Sequence, residues 1–207
     1  MSGGGKIFGI GISRTGSMTL TRALEILGHR TLFVTGYEEF ERCIDDFDAF
    51  THTPLAPIFA ELDRRFPGSR FILLGREREA WLRSCEKQFA AAAGAETPGQ
   101  LEIRRRVYGV EDFDREVFTS AYVRHVQRVR EHFRGRPEAL LEIDVCAGEG
   151  WEKLGPFLGN EPPDVPSPSE NSARDTFLRP SEIFKRFAVR HLYAVQLKHF
   201  AKSVLRR

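Results

Sequence analysis

The chain alternates between two hydrophobic rhythms. Ile7 to Ile12 (Ile-Phe-Gly-Ile-Gly-Ile) is a short unbroken apolar run rich in β-branched residues, which predicts a buried strand. From Ser17 the spacing changes: Leu20, Ala23, Leu24 and Leu27 recur at helical intervals, and Gly28 supplies a stop. The opening is therefore strand, tight turn and helix. The alternation then repeats. Thr31 to Val34 predicts a second strand, followed by an acidic helix from Glu38 to Asp45. Phe47 to Thr51 is a weaker strand ending at His52-Thr53-Pro54. Leu55, Ile58, Phe59 and Leu62 then mark a helix that closes at Pro67-Gly68. Arg70 to Leu74 is the next strand and leads into a helix around Trp81. A long helix is predicted from Asp114 to Phe133, and Ala139 to Ile143 is the last strand. Strands alternating with helices argue for an α/β fold: three layers, with a central parallel sheet flanked by helices on both faces.

The remaining segments carry other signals. Gly159 to Pro180 is rich in Pro and Ser and reads as a long loop, a length at which loops in compact domains act as lids, binding segments or disorder. Residues 181–207 read as a basic C-terminal helix whose apolar positions can pack on the domain or on a partner; a docked terminal helix is favoured over an amphipathic membrane-surface one. The whole chain, 1–207, is expected to form one domain.

Charge and cysteine content narrow the classes. Lys plus Arg number 31 against 29 Asp plus Glu, so nothing general favours nucleic acid and any anion binding must come from local placement. Cys43, Cys85 and Cys146 are widely spaced with no Cys-x-x-Cys pair. They predict buried free thiols in a reducing compartment, with neither a disulfide framework nor a metal site. The apolar run ending at Ile12 is too short for a secretory signal core or a bilayer span, so no integral membrane segment is expected and the cytoplasm is the simplest location. Monomer and homodimer are equally compatible with the pattern.

The candidate chemistry lies at Ser13 to Thr19. A loop from a buried strand into a helix aims backbone N–H groups outward at the positive end of the helix dipole, which suits phosphate or sulfate. Gly16 allows close approach of the backbone, while Arg14, Ser17 and Thr19 offer a charge and two hydroxyls. The dinucleotide fingerprint GxGxxG fails, because Arg14 stands where its third glycine belongs. The nucleoside-triphosphate loop GxxxxGK[ST] matches at Gly11 and Gly16, but Ser17 and Met18 replace its lysine and its metal-binding hydroxyl. A small-molecule kinase is thus a weaker alternative, and a non-catalytic nucleotide-binding module a third.

Residues 9–20, Gly-Ile-Gly-Ile-Ser-Arg-Thr-Gly-Ser-Met-Thr-Leu, resemble the phosphosulfate-binding loop of the sulfotransferases, a basic residue ahead of a Thr-Gly-[Ser/Thr] core. Ala23-Leu24-x-x-Leu27-Gly28 continues the resemblance, which is to short members of that family. A second stretch, Pro67-Gly68-Ser69-Arg70-Phe71-Ile72-Leu73-Leu74-Gly75-Arg76, is similar to the family's later strand, with Trp81 and Ser84 at matching positions. Tyr122-x-x-His125, Gly150-Trp151-x-x-Leu154 and Phe157-Leu158-Gly159 recur at comparable places, whereas the tail after Pro180 matches nothing specific.

The resemblance implies transfer of a sulfuryl group from 3′-phosphoadenosine 5′-phosphosulfate (PAPS) to a hydroxyl or amine of a small-molecule acceptor, leaving 3′-phosphoadenosine 5′-phosphate (PAP), with no metal required. It implies that Ser13, Arg14, Thr15, Gly16, Ser17, Met18 and Thr19 hold the phosphosulfate, with Arg14 also catalytic, and that Arg76 and Ser84 hold the 3′-phosphate. For Arg76 and Ser84 the placement makes physical sense, at the carboxyl end of a parallel strand and about two turns into the next helix. His52 is the candidate base, where similar proteins usually carry Asp; Asp48 and His125 are the reserves. The acceptor pocket is expected from Glu38 to Pro57, Ala90 to Asp112 and the Pro/Ser loop.

Overall fold

The computed structural model describes residues 5–169. The predicted basic helix over 181–207, and the loop from residue 170 onward, lie outside the described residues.

Five short parallel strands form the centre: β1 (Ile7–Gly9), β2 (Thr31–Phe33), β3 (Ala49–Thr51), β4 (Arg70–Leu74) and β5 (Leu140–Ile143), in the order β2-β3-β1-β4-β5. Within β1, the alternation of side chains across the strand divides the core. Phe8 meets Phe50 and Phe71, at centroid separations of 5.8 and 5.3 Å. On that face Phe40 of α2 (Tyr37–Cys43) and Phe133, at the end of α6 (Arg115–His132), close over the sheet. Ile7 belongs to another apolar cluster, with Leu20, Ala23 and Leu24 of α1 (Ser17–Ile26) and Trp151, Leu154 and Leu158 of α7 (Trp151–Leu158). Helices cover both faces, as parallel strands buried on both sides require.

A third cluster lies beside the turn after β1. Ile12 packs there with Trp81, Leu82, Cys85 and Phe89 of α4 (Arg78–Ala92), Tyr108 of α5 (Pro98–Tyr108), Phe118 of α6 and Ala56. The Tyr108 and Phe118 rings stack at 4.0 Å between centroids.

Several boundaries differ from the sequence expectation. The first strand ends at Gly9 rather than Ile12; Ile10 N–H still donates to Ile72 O at 2.9 Å, and then the chain turns. The helix expected from Leu55 splits into a 3-10 helix, Thr53–Ile58, followed by α3 (Phe59–Arg65). Pro57, inside this stretch, has no N–H to donate to Thr53 O, and its ring would crowd that carbonyl in an α-helix; Pro54, in the first turn, is compatible with either helix type. Helix α5 was not foreseen, although Thr97 and Gln100 form a capping box, Pro98 sits in the first turn and Gly109 ends the helix with φ +87°. Helix α7 was also unforeseen. Cys43 and Cys85 are buried as expected, but Cys146 is exposed, because it follows β5 on a surface turn held by Asp144. Among the described residues, no helix is long and apolar enough to cross a membrane.

Candidate active site

The site lies where β1 is flanked by β3 and β4, the strands that lead into the two halves of the sheet. In open parallel sheets such a switch point leaves a crevice at the carboxyl ends. Between β1 and α1 the chain makes two left-handed steps, Arg14 at φ +66° and Gly16 at φ +99°. Gly16 suits this geometry and also has no room for a side chain, since a Cβ there would overlap Val145 Cγ2 and meet Cys146 Sγ at 3.3 Å. Gly11 is confined similarly, its Cβ position lying 2.6 Å from Leu74 Cβ. Arg14 adopts the same hand at a cost, because its Cβ crowds the backbone.

The surroundings fix this turn in place. Ser13 O accepts from Trp81 Nε1 at 2.8 Å, and Ser13 N–H donates to Tyr108 Oη at 3.2 Å. Ser13 is thus anchored through its main chain by two aromatic residues from α4 and α5. Thr15, fully buried, donates its hydroxyl to Ile12 O at 2.7 Å. Among the described residues, no acceptor is bonded to the N–H groups of Arg14, Thr15, Gly16 and Ser17. Ser17, Met18 and Thr19 form the first turn of α1, with Ser17 and Thr19 buried. The N–H groups of Arg14, Thr15, Gly16 and Ser17 thus lie open at a helix start, where the helix dipole is positive.

The structure brings Arg76 and Ser84 to the same place. Arg14 Nε donates to Ser84 Oγ at 2.9 Å, and Arg76 Nη1 donates to Arg14 O at 2.9 Å. Tyr122 Oη holds the main chain of Arg76 from both sides, accepting from its N–H at 3.0 Å and donating to its carbonyl at 3.2 Å. Arg76 is free of Glu77 and Glu79, which cap α4 and pair with Arg115. The Arg14 guanidinium has its pKa lowered, first by burial and then by the neighbouring charge of Arg76. Two cations held together with no carboxylate between them create a strong demand for negative charge. Cys85 does not meet it, because burial pushes its thiol up to about 12 and keeps it neutral.

His52 follows β3 with φ +102° and ψ +167°, a region that side-chain-bearing residues rarely enter. Hydroxyl pairs on both sides of it tie this segment to the loop and the start of α1. Thr51 meets Thr21 at 2.6 Å, and Thr21 in turn donates to Ser17 O at 2.8 Å; Thr53 meets Ser13 at 3.2 Å. The imidazole stacks on Phe33 at 4.1 Å, and its Nδ1 is buried without a protein partner. Burial lowers its pKa to about 3, so the ring is neutral at physiological pH. The reserve candidates fall elsewhere. Asp48 precedes β3 at the opposite end of that strand and is bound by Arg30 at 2.7 Å. His125 donates its Nε2–H to Ile10 O at 2.8 Å, beneath the turn, and burial lowers its pKa to about 4.

Sequence reasoning missed Tyr108 as an anchor of Ser13, and it treated Trp81 and Tyr122 only as points of resemblance. Their burial and polar tips were a signal, because a buried Tyr or Trp seeks a hydrogen-bond partner.

Fold and site together define an α/β protein with an open strand–turn–helix and a paired arginine cluster at its switch point. A family model described as a sulfotransferase domain matches residues 6–176, most of the chain, and the protein belongs to that family. Among solved structures, a sulfotransferase from Alicyclobacillus acidocaldarius is similar in fold, with a TM-score of 0.51 and 15% identity over 89% of this chain and 91% of that one. No curated protein matches the sequence.

Proposed function

We propose that this protein transfers a sulfuryl group from PAPS to a hydroxyl or amine of a small-molecule acceptor. The observation that carries it is the Arg14–Ser84–Arg76 cluster at the open start of α1, two guanidinium groups with no carboxylate partner beside a turn whose N–H groups have no acceptor. When bound, the donor supplies a sulfuryl group already activated by its phosphate leaving group. Arg14 and the N–H groups of Thr15, Gly16 and Ser17 hold the phosphosulfate, and the hydroxyls of Ser17 and Thr19 assist. The Thr15 hydroxyl, expected to do the same, is instead buried on Ile12 O and braces the turn. Arg76 and Ser84 hold the 3′-phosphate. Arg14 also offsets negative charge developing on the bridging oxygen, so positioning and electrostatics do most of the work. His52, tied to the loop through Thr51 and Thr53, is the residue we assign to take the proton of the acceptor. Burial keeps it neutral but, with its pKa lowered to about 3, a weak base, so the role requires its environment to change when acceptor and donor bind.

The test is calorimetric titration with PAP in the absence of metal. The wild type should bind in the micromolar range, and Arg14→Ala and Arg76→Ala should each weaken binding about 10- to 100-fold, as expected for hydrogen bonds to charged groups. No binding of PAP, with binding of ATP once magnesium is added, would refute the assignment.

A further inference from the structure

Away from the donor loop, the surface between the 3-10 helix, α5 and α6 holds a recess of about 150 Å³. Arg105 and Arg106, from the last turn of α5, line it with Arg124 and Arg128 of α6, beside Pro57 and His125. Arg105 and Arg106 have an ordinary reason to be there. They offset the negative end of the α5 dipole, and they pair with Glu111 and Glu102 respectively.

Arg124 and Arg128 have no such reason. They stand one turn apart on the exposed side of α6, a spacing at which like charges disfavour a helix. Among the described residues neither has a carboxylate partner. The Arg128 guanidinium lies 5.7 Å from the centroid of the Phe59 ring, which orients it without neutralising it. Four arginines thus line one small recess, and only two of them have a carboxylate partner.

We propose that this recess is a second anion site, distinct from the donor loop, which takes one tetrahedral oxyanion, phosphate or sulfate, either free or as the end group of a small ester. Its volume fits such a group with a few waters, each of which needs about 30 Å³. Arginine forks suit the geometry, since each can donate two parallel hydrogen bonds to an oxyanion. Two of its walls reach the donor turn: His125 donates to Ile10 O, and Tyr108, flanked by the lining residues Val107 and Gly109, accepts from Ser13 N–H. Neither Arg14 nor Arg76 lines it, so the recess is separate from the donor site.

The experiment uses the full chain carrying Arg14→Ala and Arg76→Ala, which disables the donor loop. Its melting temperature is followed against inorganic phosphate, inorganic sulfate, phenyl phosphate and phenyl sulfate, with potassium chloride holding ionic strength constant. A saturable rise with the oxyanions is expected, because a ligand that binds only the folded state stabilises it. Adding Arg124→Gln and Arg128→Gln should weaken that response at least about tenfold. Tighter binding of the esters than of the ions would assign a phosphorylated or sulfated small molecule; equal binding would assign the free ion. Calorimetry on the otherwise wild-type chain gives a second readout, in which Arg124→Gln with Arg128→Gln removes one phosphate-binding event and leaves any event at the donor loop intact. Absence of a saturable response, or one that the two substitutions leave unchanged, would overturn the proposal.

Discussion

Replacing His52 by alanine and by glycine separates the side chain from the backbone beneath it. Both substitutions remove the ring from Phe33 and remove the buried, partnerless Nδ1. They differ only in the Cβ, which at φ +102° and ψ +167° sits in a region that is essentially glycine's alone. A non-glycine residue held there costs about 1–3 kcal/mol. Against this, glycine gives the unfolded chain extra freedom worth about 0.4–1 kcal/mol. The balance favours His52→Gly over His52→Ala by about 0–2.6 kcal/mol, about 1.3 kcal/mol at mid-range. In a chain of this size the mid-range value is roughly 3–5 °C in melting temperature, read by scanning calorimetry. The usual order is the reverse, alanine above glycine, so the sign is the test. Both variants should keep their affinity for PAP, since His52 lies outside the arginine cluster, and both should lose sulfuryl transfer by about 10²–10⁴ if the imidazole is the base. An alanine variant more stable than the glycine variant, the usual order, would show that the segment carries no strain and that Thr51 and Thr53 hold nothing under tension.

Gly16→Ala should destabilise the protein by about 1–3 kcal/mol and abolish PAP binding, because its Cβ meets Val145 and its φ is +99°; a melting curve and one titration decide it. Acid should unfold the protein through its histidines. Burial holds the folded-state pKa of His52 near 3 and that of His125 near 4, against an ordinary 6.5, so the unfolded chain binds the extra protons. This contribution is complete above about pH 6.5 and is lost as pH falls toward 4 and then 3, at about 1.4 kcal/mol per pH unit for each ring. His125→Gln should flatten the decline in melting temperature between about pH 6.5 and 4, and a wild-type profile already flat there would contradict the burial of both rings. Finally, Arg14→Ala and Ser84→Ala should couple in PAP binding by about 0.5–3 kcal/mol, because Arg14 Nε donates directly to Ser84 Oγ; additive losses in a double-mutant cycle would mean that the two bind the nucleotide separately.

The strands were legible where a short β-branched run met turn chemistry. The Arg70–Leu74 prediction coincides with β4, and α6 begins and ends one residue inside the predicted Asp114 and Phe133. The failures have local causes. In α5 the run Arg104-Arg105-Arg106 dilutes the apolar rhythm, so periodicity overlooked a helix that its capping residues Thr97, Pro98 and Gly109 declare at both ends. In the 3-10 helix, the spacing of Leu55, Ile58 and Phe59 suits either helix type, and Pro57 is what disfavours the α form.

The candidate site divides along the same line. What depends on neighbours in sequence was readable: glycines at 11 and 16, hydroxyls at 17 and 19, and a basic residue ahead of the helix. What depends on neighbours in space was not. Nothing in the sequence says that Arg14 takes a left-handed turn, because the reason lies with Arg76, bonded to its carbonyl from 62 positions away, and with Trp81 and Tyr108, which grip Ser13 from 68 and 95 positions away. Nor does it say that His52 is bracketed by threonines bonded to the donor turn and the helix behind it. The strand order makes those meetings unavoidable: with β1 between β3 and β4, the segments leaving β3 and β4 must flank the turn leaving β1. The arginine pair therefore follows from the topology as much as from the motif. A substitution that shifted β4 by one residue would turn Arg76 to the other face and dismantle the site while every residue of the loop stayed in place.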